Sequence, residues 1–116
     1  MINIILPSRY KLDRKALKQT AESYLDSNRY SGNYTLNIVF VGRNKMRQIA
    51  RDYKHEDIAL PVLAFPYKGE KTGDDNLLGE IFICYPQSVL LAAEKNKTLE
   101  KILDWLVTHA IDNFLK

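Results

Sequence analysis

Residues Tyr34 to Tyr53 read YTLNIVFVGRNKMRQIARDY, and this stretch decides the fold. From Tyr34 to Val41 the residues alternate at first and then become continuously apolar, as in a strand near the centre of a sheet. Gly42 closes that strand. From Arg43 to Tyr53 the spacing changes: Met46, Ile49, Ala50 and Tyr53 recur three and four residues apart, which predicts a helix with those four on its inner side. A covered strand that passes through one glycine into an amphipathic helix belongs to an α/β architecture.

Working outward toward the amino end, Ser27 to Asn33 is turn chemistry. Before it, Ala16, Leu17, Ala21, Tyr24 and Leu25 predict a helix from Asp13 to Asp26, with Asp13 as its cap. Met1 to Leu6 is a short apolar strand stopped by Pro7. Toward the carboxyl end, the polar segment Lys54 to Leu60 leads to Pro61 and the strand Val62 to Phe65. Tyr67 to Asn76 has too few apolar groups to pack and predicts a mobile surface hairpin or loop. Leu77 to Cys84 is a strand whose internal Gly79 implies close approach of another group. Tyr85 to Asn96 is a helix that tolerates Pro86 in its first turn. Thr98 to Lys116 closes the chain as an amphipathic helix, with Leu99, Ile102, Leu103, Leu106, Ala110 and Phe114 inward and Thr98 as cap. The expected order is β-α-β-α-β-β-α-α: one α/β (α+β) domain over residues 1–116, a small mixed four-stranded sheet packed with helices.

With 116 residues, 46% of them hydrophobic and 27% charged, the chain has the makeup of an ordinary globule that needs no metal or disulfide to fold. Cys84 is the single cysteine, so no internal disulfide can form, and a reducing cytoplasm is the expected location. No apolar run reaches the length of a membrane span. The net charge of +3 permits an anionic partner without demanding one, so the placement of charge matters more than its sum.

That placement is uneven. Arg43, Arg47, Arg51 and Lys54 are spaced by 4, 4 and 3, and fall on one flank of the predicted helix. With Asp52 facing elsewhere, no carboxylate is expected on this stripe, which suits a track of phosphates. The plainer reading is a solvated helix face. Lys11, Arg14, Lys15 and Lys18 form a second basic cluster, balanced in part by Asp13 and Glu22. In the last helix His109 and Asn113 lie four apart and share a face, with Trp105 one turn earlier. Two histidines at that spacing could hold a metal, but an asparagine offers only a neutral amide oxygen. A lone helical histidine is more often structural than a ligand. Cys84, inside an apolar strand, reads as a buried and inert thiol. No phosphate-binding glycine motif and no nucleophilic triad is spelled by the spacing.

Three segments in register resemble a known family. Met46 to Pro66, MRQIARDYKHEDIALPVLAFP, is similar to the M-x-x-L-N-x-x-Y-R-x-x-D-x-x-T-D-V-L-S-F-P region of the YbeY family. Leu78-Gly79-Glu80-Ile81, Ile83-Cys84 and Pro86 resemble its L-G-D-I-x-I-C-x-P. Leu106 to His109 resembles the opening of its signature helix, L-x-V-H-G-x-L-H-L-x-G-Y-D-H. The resemblance implies a bacterial rRNA maturation factor, a metal-dependent endoribonuclease specific for single strands, whose three signature histidines hold zinc and whose arginine engages RNA. Carried onto this chain, only His109 matches a metal ligand. Asn113 occupies the second place, and the sequence stops at Lys116 before the third, as expected of a shortened member. Lys54 stands for the arginine, Leu60-Pro61 for the Thr-Asp pair, and Ala110 for the glycine after the first histidine.

The expected function is therefore rRNA maturation, with ribosomal RNA and a ribosome-associated protein as partners and no membrane. Arg43, Arg47, Arg51 and Lys54 would contact RNA. The degenerate site, His109 with Asn113, would hold zinc weakly or not at all, leaving little or no zinc-dependent cleavage. Two alternatives stay open. One is an active endoribonuclease rebuilt around His109, with His55 and Asp57 as further ligands and Lys54 as an electrostatic stabiliser. The other is a protein-interaction module that uses exposed aromatics, Trp105 and Phe114 being the candidates.

Overall fold

The computed structural model describes residues 1–30, 34–67, 71–72 and 75–115. Its elements are β1 (Ile2–Ile5), α1 (Arg14–Ser27), β2 (Thr35–Val41), α2 (Arg43–Lys54), β3 (Val62–Pro66), β4 (Lys71–Thr72), β5 (Asp75–Cys84), α3 (Tyr85–Glu94) and α4 (Leu99–Leu115). The expected order is found, and β4 is added to it. Residues 31–33 of the expected turn, 68–70 and 73–74 of the expected hairpin, and Lys116 lie outside the described residues.

The strands form a mixed sheet in the order β1-β2-β5-β3. The β1-β2 and β2-β5 pairs are parallel, and β3 runs antiparallel to β5. β4 pairs with the start of β5, Lys71 opposite Asn76, so part of the Tyr67–Asn76 segment is a hairpin. Between β2 and β5 the register slips: Thr35 faces Leu77 but Leu36 faces Gly79, which leaves Leu78 as the extra residue of a bulge.

Alternation along the two central strands sends side chains to two cores. Leu36, Ile38, Phe40, Ile81 and Ile83 point to the face covered by α1, α3 and α4. Val39, Val41, Phe82 and Cys84 point to the face covered by α2, against Met46, Ile49 and Ala50, with Leu60 packed beside them. α4 buries Ile102, Leu103, Leu106, Val107, Ala110, Ile111 and Phe114. At roughly 1.5–3 kcal/mol for each large aliphatic or aromatic side chain withdrawn from water, this helix is a principal source of stability. It also settles one candidate: Phe114 is core, 5% exposed, because its position on α4 faces β5 and not the solvent.

Helix ends follow their chemistry. Asp13 accepts from the Ala16 N–H at 3.1 Å, and Thr98 accepts from the Lys101 N–H at 3.2 Å. α2 stops at His55 and α3 stops before Asn96, both with left-handed backbone (φ 58° and 53°). No helix among the described residues is long and apolar enough to cross a membrane.

Candidate nucleic-acid interface

α2 has three sides. Its buried side packs on the sheet, and Tyr53 does not complete it as expected. Tyr53 is 68% exposed, because its ring lines the open cleft beside α2 instead of a closed core, and it meets Phe65 in a T-shaped contact, centroids 5.0 Å apart. One flank carries Arg43, Arg47, Arg51 and Lys54, all exposed. Arg51 and Lys54 sit in the last turn, where cations also offset the negative end of the helix dipole. Arg43 donates from Nε to Gln87 Oε1 at 3.1 Å and so ties the stripe to the start of α3.

The stripe is not free of carboxylates, contrary to expectation. The left-handed turn at His55 folds the chain back, with the Glu56 N–H donating to Ala50 O at 3.2 Å. Asp57 then lies between two arginines, its Oδ1 3.7 Å from Arg47 Nε and 3.9 Å from Arg51 Nε. Both pairs are long and well exposed, hence worth little to stability. Their effect is electrostatic: one carboxylate is shared by two of the four cations. Sequence spacing missed it because Asp57 lies beyond the helix end and reaches the flank only through the turn.

The other flank borders a cleft of about 580 Å³ floored by Ile49, Phe65 and Phe82 and rimmed by Lys45, Asp52 and Glu80. Tyr67 donates its hydroxyl to Glu80 Oε1 at 2.6 Å beside it. No sequence signal pointed to this cleft, since it depends on β3 and β5 being neighbours.

On α4, His109 and Asn113 are both exposed, on one face as the spacing implied. The Trp105 ring lies 6.1 Å from the imidazole, tilted by 30°. His55 and Asp57 belong to the loop leaving α2, whereas α4 covers the opposite face of the sheet. Among the described residues no three His, Cys, Asp or Glu side chains converge as a metal group. An imidazole beside a neutral amide does not fit the zinc that the family resemblance implies, so no chemical step is routed through a metal.

Three further ionisable groups are shifted by the packing of the fold. Cys84 is buried as expected, and that burial pushes its thiol above the ordinary range. Burial also raises Asp104, partly opposed by a hydrogen bond from Thr20. Tyr24 on α1 donates to Asp112 Oδ1 on α4 at 2.5 Å and joins the two helices.

Comparison with known proteins bears on the family and the fold. A family model described as Endoribonuclease YbeY matches residues 6–111. An Endoribonuclease YbeY of Finegoldia magna is 31% identical over 83 residues, covering 72% of this chain and 54% of the relative. One from Thermotoga neapolitana is 30% identical over 111 residues, covering 96% of this chain and 69% of the relative. The chain thus spans about half the length of the first of these and about two thirds of the second. The solution structure of a protein from Thermotoga maritima superposes with a TM-score of 0.61 at 25% identity, covering 96% of this chain and 69% of the other.

Proposed function

The chain belongs to the YbeY family, and from that premise we propose that it acts in RNA processing by binding single-stranded ribosomal RNA through α2. The observation that carries this reading is the flank of Arg43, Arg47, Arg51 and Lys54: four exposed cations along one side of one helix, restrained at Arg43 by Gln87. Three of the four are arginines, whose planar forks suit phosphate oxygens. Lys54, at the place of the family arginine, contributes charge without the fork. Zinc-dependent cleavage is weak or absent in this proposal, because His109 and Asn113 make a poor donor pair. The compartment assigned is the cytoplasm, with Cys84 kept as a thiol.

The test is equilibrium binding of a short single-stranded RNA at several salt concentrations, wild type beside Arg47→Glu/Arg51→Glu. The double variant should bind more weakly, and its log–log salt slope should be shallower by about 0.7 for each phosphate it no longer neutralises. Equal affinity and equal slope would remove α2 from the interface. Elemental analysis of protein purified without chelator addresses the metal: one zinc per chain, absent from His109→Ala, would overturn the claim of a weakened site.

A further inference from the structure

On the opposite side of the molecule from the arginine stripe, α4 exposes an aromatic ring among lysines. Trp105 is half exposed in a helix whose other large apolar side chains are nearly all turned inward. Lys95, Lys97 and Lys101 surround it and, with Ile102, line a hollow of about 320 Å³. Lys95 Nζ stands 5.9 Å from the centre of the indole ring, within cation–π range. The His109 ring also neighbours the indole, centroids 6.1 Å apart.

The turn that brings these residues together is held by backbone hydrogen bonds. Asn96 takes the left-handed conformation that ends α3, and the Lys97 N–H donates to Ala92 O at 2.9 Å, which fixes the backbone of the turn that carries Lys95 and Lys97. The Thr98 cap then starts α4 with Lys101 in its first turn. Among the described residues none of the three lysines has a carboxylate within ion-pair reach, although Glu94 and Glu100 lie in the same turns; the ion pairs are those of Asp57. Three unpaired ammonium groups about one flat apolar face combine the two things an unpaired nucleotide offers: phosphate charge and a base with an open π-face. A base inside a duplex has no such face to present.

We propose that Trp105 is a stacking platform for an unpaired base of RNA, with Lys95, Lys97 and Lys101 holding the phosphates on either side. This rests on the reading of the protein as RNA-binding and adds to it a second binding surface, across the sheet from α2.

Trp105 is the single tryptophan of the chain, so its fluorescence reports on this site alone. Unlabelled oligoadenylate is titrated while tryptophan emission is followed, and binding is measured separately by anisotropy of a labelled copy. Quenching that saturates with binding is expected for the single strand and not for the oligoadenylate–oligouridylate duplex. Trp105→Ala should weaken single-strand binding about tenfold, within the range for loss of one stacked base, while Trp105→Phe should retain most of it. Lys95→Glu/Lys101→Glu should weaken binding and flatten its salt dependence with Trp105 intact. RNA that binds without changing the emission, and binds Trp105→Ala as tightly as wild type, would overturn the platform and leave the α2 interface standing. Duplex that quenches as strongly as the single strand would also overturn it. No RNA bound by any form at low salt would overturn both proposals together.

Discussion

Phe114 of α4 lies over Gly79 of β5 so closely that no side chain fits between them. A Cβ at residue 79 would stand 2.8 Å from Phe114 Cζ and 2.6 Å from the Phe65 carbonyl oxygen on β3. The ring is one neighbour and a backbone atom of the paired strand is the other, so a rotamer change cannot relieve both. Gly79→Ala is expected to cost about 1–3 kcal/mol, the usual cost of overpacking a tight core. Urea denaturation would measure it. An unchanged midpoint would mean that α4 can lift and β3 can shift together, and the packing would then be looser than these distances imply.

Asp57 gives the RNA interface an internal brake. It shares its carboxylate between Arg47 and Arg51 at 3.7 and 3.9 Å, and any phosphate reaching those arginines competes with it. Asp57→Asn should therefore bind single-stranded RNA more tightly than wild type and with a steeper salt dependence. Its stability should stay within about 1 kcal/mol of wild type, because exposed pairs contribute little. Weaker RNA binding by Asp57→Asn would show that Asp57 orders the arginines for their ligand instead of screening them.

The elements were legible in the sequence because they rest on local periodicity, and periodicity is a local quantity. Strand, glycine and helix from Tyr34 to Tyr53 appear where alternation gives way to three- and four-residue spacing. Gly79 was readable as a close approach, but the approaching group was not, since Phe114 and Phe65 lie 35 and 14 residues away in the chain. Insertion of β5 between β2 and β3 is likewise non-local, and with it the cleft beside Tyr53. Tyr53 fits the apolar spacing of α2 yet is exposed, because it borders the open cleft that the neighbouring strands create and spacing cannot reveal. For the candidate interface, helix spacing found the cations and missed Asp57. The residues around Trp105 come from two helices and the turn between them, so their meeting follows from the turn at Asn96 and not from any motif.

The bond from Tyr24 to Asp112 makes stability sensitive to alkali. The hydrogen bond to Asp112, then burial, then the charge of that carboxylate raise Tyr24 above its ordinary value of 10.0. The folded chain holds the phenolic proton more tightly than the unfolded one. This contribution is therefore complete below pH 10 and is lost as pH rises through the raised value. Tyr34 shifts the same way, chiefly by burial. Thermal denaturation across the alkaline range should show wild-type stability falling from about pH 9 upward and a shallower fall in Tyr24→Phe, the remainder belonging to Tyr34 and to the raised Cys84 thiol. Parallel curves would mean that Tyr24 titrates alike in both states.

His109 and Asn113 present an imidazole and an amide four residues apart on an exposed helical face. That geometry already suits a metal, and the chemistry of the second donor is what fails it. Asn113→His would place two imidazoles at the spacing that lets a helix clasp a divalent ion. The substitution should fold normally, since residue 113 is exposed and Phe114 beside it keeps its place in the core. Competition against a zinc-sensitive dye should show tighter zinc binding by Asn113→His than by wild type, abolished again in His109→Ala/Asn113→His. The same metal should raise the melting temperature of Asn113→His more than that of wild type, because an ion held only by the folded helix stabilises it. Equal zinc affinity in wild type and Asn113→His would locate the defect elsewhere, in donors beyond this face of α4, and clear the asparagine of responsibility for it.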